Sequence, residues 1–111
     1  LSKYDRIKFI EPLDSRDKAA VAKAYEGVEF DVIIDDGDHN PAIQLTTFHN
    51  HVPFLSPEGI YIIEDVPGLG NAQQLETIIR STYEPLGWNL EIETYVGDLS
   101  KRDDDILLII K

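Results

Sequence analysis

Apolar positions along this chain follow two different periods, and the switches between them mark the elements. The run IKFIE predicts a first short strand over Ile7–Ile10, broken by Pro12, Asp14 and Ser15. Ser15 or Asp14 can then cap a helix from about Arg16 to Glu26, whose apolar stripe is Val21, Ala24 and Tyr25 and which Gly27 closes. Phe30–Ile34, apolar on both faces toward its end, reads as a strand buried between two helical layers. It stops at a polar run of Asp35, Asp36, Gly37, Asp38, His39 and Asn40. Asn40 before Pro41 is a helix start, because proline in the first helical position gives up an N–H that would have no partner anyway. Leu45, Phe48 and Val52 line one face of that helix.

Ser56, Pro57, Glu58 and Gly59 form a turn by composition. A second buried strand follows over Ile60–Ile63 and ends at Glu64 and Asp65. After a loop with Pro67, Gly68 and Gly70, Asn71 and Gln74 fit a capping box for a third helix. Its core stripe is Leu75, Ile78, Ile79 and Tyr83, and Gly87 ends it. Leu90, Ile92, Thr94 and Val96 alternate with Glu91, Glu93 and Tyr95, the period of a half-exposed strand. Ile106–Ile110 makes the last strand. The predicted order is β-α-β-α-β-α-β-β. It implies a single α/β domain over residues 1–111, with a mainly parallel sheet covered on both faces and an antiparallel C-terminal hairpin.

Composition narrows the partners. Twenty-one acidic residues against ten basic ones give a net charge of −11, which repels a phosphate backbone or an anionic membrane surface. The absence of cysteine excludes disulfides and thiolate metal sites. Apolar runs of about five residues fall far short of the ~20 that span a bilayer. A cytoplasmic protein that binds neither nucleic acid nor membrane is the expectation. The chain opens on Leu1, close to a strand, as a piece of a longer protein would.

Candidate chemistry sits where open parallel sheets bind ligands, beyond the carboxyl ends of the strands. Asp35 and Asp36 follow one strand there, Glu64 and Asp65 the next. On neighbouring strands such acids lie ~5 Å apart, and at an effective dielectric of 20 they repel by roughly 3 kcal/mol. A divalent cation, a shared proton or a nearby base would offset that repulsion. Oxygen ligands with at most one imidazole favour Mg²⁺, Mn²⁺ or Ca²⁺ over zinc. The same acids could simply cap helices or face water. His39 could be a solvated loop residue, and His49 and His51, inside a helix, read as surface or packing residues. Asp36, Gly37 and Asp38 also spell the DxD of haloacid-dehalogenase-type phosphatases. That site needs a lysine and a Ser/Thr at other strand ends, where this chain has Glu64 and Asp65.

The stretch FDVIIDDGDHNPAIQLTTFHNHVPFLSPEGIYIIEDV resembles the central part of the macrocin-type sugar O-methyltransferases, a class I S-adenosylmethionine-dependent family. DDxxH at one strand end and ED at the next fall at that family's interval, and DDILLIIK is similar to its closing hairpin. The resemblance implies the C-terminal, catalytic half of a Rossmann-like three-layer sandwich. It implies Asp36 and Asp65 as metal ligands with Glu64 as a helper, a cofactor metal such as Mg²⁺, and His39 as the general base for a small-molecule or sugar hydroxyl. Asp14 falls where the family contacts the adenine of S-adenosylmethionine, and can equally cap a helix. The two upstream βα units, with the glycine-rich loop that grips the donor, have no counterpart here, and Gly68, Leu69 and Gly70 follow the wrong strand to replace it. The chain is then an enzyme fragment, or is completed by another chain. The alternative is a non-catalytic domain with the same fold, a homo-oligomer that covers the exposed edge of Phe30–Ile34.

Overall fold

The computed structural model describes residues 16–37, 40–97 and 106–111. The predicted strand Ile7–Ile10, the caps Asp14 and Ser15, and the loop residues Asp38 and His39 lie outside the described residues. In order, the elements are α1 (Lys18–Ala24), β1 (Phe30–Asp35), α2 (Pro41–His51), β2 (Leu55–Ile63), α3 (Leu69–Tyr83), β3 (Ile92–Val96) and β4 (Ile106–Ile110). Short 3-10 turns, Val52–Phe54 and Glu84–Leu86, follow α2 and α3.

Three helix starts show how local chemistry sets the boundaries. Asn40 caps α2 as expected, its Oδ1 accepting from Ala42 N at 2.9 Å and Ile43 N at 3.4 Å. The first helix is shorter than predicted. Asp17 is its N-cap and accepts from Ala20 N at 3.1 Å, so Arg16 lies outside it. The predicted capping box of α3 does not form. Gly68 is the N-cap, with no side chain to offer, and the Asn71 amide donates backwards to the Pro67 carbonyl.

The sheet runs β1-β2-β4-β3. β1 and β2 are parallel, whereas β4 is antiparallel to both β2 and β3. The expectation of a mainly parallel sheet is therefore corrected to a mixed one. The closing hairpin inserts its second strand next to β2, which turns one predicted parallel neighbour into an antiparallel one. The turn expected at Ser56–Gly59 is also recast. β2 already begins at Leu55, and between the pairs Phe30↔Leu55 and Val32↔Ile60 four residues of β2 stand opposite one of β1. This bulge needs its glycine, since a Cβ on Gly59 would lie 2.6 Å from Leu55 Cδ1.

Facing residues in a ladder share a side of the sheet, so the register defines two faces. On one, Tyr61, Ile63, Ile106, Leu108 and Ile110 are buried beneath Phe48 and Val52 of the α2 segment and Leu75, Ile79 and Tyr83 of α3. α1 joins this layer through Tyr25, whose ring meets His51 and Phe54. The other face carries Val32, Ile34, Ile60, Ile62, Leu107 and Ile109, and there Val32 is 52% and Ile34 57% exposed. The prediction that β1 is buried between two helical layers fails because α2 and α3 both pack on the Tyr61 side. β3 departs in the same way. Its Thr94 and Val96 share the core side of their partners Leu108 and Ile106 but stay exposed at the sheet's edge. No helix among the described residues is long and apolar enough to cross a membrane.

Candidate active site

Parallel pairing sets the geometry of the acidic strand ends. Asp35 aligns with Ile63, and beyond that rung Glu64 N donates to Asp35 O at 2.9 Å. One residue further on, the register brings Asp36 beside Glu64 rather than beside Asp65. The two carboxyl groups are near enough for the negative charge of Asp36 to act on Glu64. A protonated Glu64 can donate to Asp36, whereas an ionised one cannot. That is the main reason the Glu64 pKa lies above its ordinary value, and desolvation and the negative charges of Asp36 and Asp65 push it the same way.

Asp65 completes the acidic corner with an unusual backbone. Its φ of 57° lies in the left-handed region, which costs a non-glycine residue roughly 1–2 kcal/mol. The turn is held from below by Gln44 of α2, whose Nε2 donates to Glu64 O at 3.2 Å and to Asp65 O at 3.3 Å. Gln44 is 1% exposed, and its Oε1 has no hydrogen-bond partner among the described residues. Sequence reasoning passed over this residue, although one signal was present. Gln44 sits one helical turn before Phe48, a polar side chain placed on the buried stripe of α2. On the β1 side, Asp35 Oδ1 accepts from Gly37 N at 3.1 Å and turns the chain as it leaves the strand.

The structure thus brings Asp36, Glu64 and Asp65 to one corner, while His39 and Asp14 lie outside the described residues. The other two histidines are packing residues. His51 is buried with Nδ1 donating to Thr47 O at 2.8 Å. His49 Nδ1 hydrogen-bonds the Tyr83 hydroxyl at 2.6 Å, and burial lowers its pKa. The donor chemistry of the corner, all carboxylate oxygen, suits a hard cation. The number of donors falls short, because among the described residues no three Asp, Glu or His side chains form a cluster able to hold a metal ion.

Comparison with known proteins points the same way as the motif. The chain is similar to demethylmacrocin O-methyltransferase of Streptomyces fradiae, 44% identical over 46 residues that take in 37% of this chain and 12% of the relative. The similarity is to O-methyltransferases. A second relative is the 8-demethyl-8-(2-methoxy-alpha-L-rhamnosyl)-tetracenomycin-C 3'-O-methyltransferase of Streptomyces olivaceus, 37% identical over 75 residues, 61% of this chain and 19% of the relative. A third is the 8-demethyl-8-alpha-L-rhamnosyl tetracenomycin-C 2'-O-methyltransferase of the same organism, 35% identical over 54 residues, 48% of this chain and 14% of the relative. The chain spans less than a fifth of the length of these curated relatives. No protein-family model matches it, and no solved structure does.

Proposed function

We propose that this chain is the acid-bearing part of an S-adenosylmethionine-dependent O-methyltransferase acting on a hydroxyl of a small molecule or sugar. The observation that carries the reading is the juxtaposition of Asp36 and Glu64 at adjoining parallel strand ends, in the sequence context that resembles the O-methyltransferases. Bound S-adenosylmethionine would supply an electrophilic sulfonium methyl group. A sugar hydroxyl is a poor nucleophile at neutral pH and must lose its proton as it attacks, so a carboxylate or imidazole within hydrogen-bond reach is the catalytic requirement. In the proposal His39 accepts that proton, and the carboxylates of Asp36, Glu64 and Asp65 orient the hydroxyl and stabilise the imidazolium that forms. Asp14 is assigned to the adenine. Isothermal titration calorimetry of the intact gene product with S-adenosylmethionine and S-adenosylhomocysteine tests the claim. Saturable heat is expected with both, and silence with both removes the enzyme.

A second reading, a non-catalytic domain that self-associates, draws on the exposure of Val32 and Ile34 along β1, which has β2 as its one described neighbour. Sedimentation of the wild type and of a Val32→Lys, Ile34→Lys double variant tests it. The reading requires an oligomer that the double variant dissolves without loss of circular dichroism.

A further inference from the structure

A cleft of about 350 Å³ opens at the end of the sheet opposite the acids. Gly59 on its wall and Glu64 at the acidic corner are five residues apart on β2, about 17 Å at the usual rise of a strand. Phe48, Leu55, Pro57, Trp88, Leu90 and Ile110 give it apolar walls, with Ser56 and Asn89 as neutral polar groups. Trp88 is the chain's single tryptophan, 38% exposed. Its indole stacks on Tyr83 with centroids 4.5 Å apart and planes 30° from parallel. The Tyr83 hydroxyl is in turn fixed by His49. The indole therefore stands as a flat plate backed by a buried, hydrogen-bonded ring, already ordered before anything stacks against it.

Charge decides what such a plate can hold. No acidic residue is among the described residues that line the cleft, so a cation finds no partner there. Lys111 on its wall is paired with Glu93 at 3.9 Å, and the chain as a whole carries −11, a field that disfavours an anion. Volume and apolar walls with a few polar groups match the usual character of small-molecule sites. We propose that this cleft binds an uncharged planar aromatic compound bearing a hydroxyl or carbonyl group, its ring system against Trp88 and its oxygen toward Ser56 or Asn89. The site is separate from the acidic corner and does not depend on the methyltransferase reading.

The Nε1–H resonance of Trp88 reports on the cleft without ambiguity, since no other indole is present. Titration with 2-naphthol, followed by amide and indole NMR, should move Trp88, Leu90 and Leu55 saturably. Naphthalene-2-sulfonate, of the same ring system but charged, should bind at least tenfold more weakly. Trp88→Leu should weaken naphthol binding about tenfold, the loss of one aromatic stacking contact, as read at the Leu90 amide. Asn89→Phe, an exposed position where a ring would fill the cleft, should abolish it. No saturable shift, equal binding of the sulfonate, or shifts centred on Ile34 and Ile62 of the open sheet face would each overturn the proposal.

Discussion

Replacing Tyr61 with phenylalanine should make the protein more stable. Tyr61 is 0% exposed, lies edge-on to Phe48 with centroids 4.8 Å apart, and its hydroxyl has no hydrogen-bond partner among the described residues. Burying a hydroxyl without a partner costs ~1–3 kcal/mol, and removing it while keeping the ring gives that back without opening a cavity. The expected gain for Tyr61→Phe is about 1–2 kcal/mol, with a rise in Tm of roughly 4 °C or more per kcal/mol in a domain near this size. Urea unfolding followed by circular dichroism should show a higher midpoint with an unchanged slope. The pH dependence supplies a second readout. Burial, and after it the negative charges of Asp35 and Tyr25, raise the Tyr61 pKa far above its ordinary 10.0. The unfolded chain therefore releases this proton first, and stability contributed by the neutral folded phenol falls as pH climbs past 10. Tyr61→Phe removes that share of the alkaline loss, so its advantage should widen above pH 10. A variant less stable than wild type at pH 7 would refute the reasoning, because it would mean that the hydroxyl is satisfied.

Two further outcomes follow from the site and its supports. Because the Glu64 pKa is raised, its protonated form favours folding, and that contribution is complete below the ordinary carboxylate range and lost as pH rises through the shifted value. Glu64→Gln should therefore raise Tm at pH 7 relative to wild type, and differential scanning calorimetry should show the difference shrinking toward pH 4. Asn40→Ala should cost about 0.5–2 kcal/mol in chemical denaturation by uncapping α2, with Asn40→Asp recovering most of it.

What the sequence revealed depends on how far each signal acts along the chain. Ile60–Ile63 and Ile106–Ile110 are dense β-branched runs, and the cap at Asn40 and Pro41 is a contact over two or three residues; all of these appear as read. Sheet order is a long-range property, and nothing in the alternation of Leu90–Val96 says which strand of the hairpin sits beside β2. Burial of Phe30–Ile34 failed for a related reason. Its apolar residues state a demand for cover on both sides, while the described helices supply one side only. At the candidate site the acids were legible because DDxxH and ED are local. Which acids face each other across the strands was not legible, because that depends on the β1–β2 register, which sets Glu64 beside Asp36. Gln44 was missed because a glutamine on a helix ordinarily faces water.

The acidic corner has a further property that bears on what the chain can do alone. The groups that deliver the acids and hold their carbonyls lie between residues 30 and 65, and Val66 N donates to Ile106 O of β4 just past the corner. β1 and β2 deliver the acids, α2 is the crossover that makes those strands parallel, and Gln44 on that crossover fixes the carbonyls of Glu64 and Asp65. The left-handed turn at Asp65 is thus stabilised by the connection that sets the register of the acids. A βαβ unit of this kind brings its strand-end acids together within one short stretch of sequence, so the corner is set chiefly by local connections.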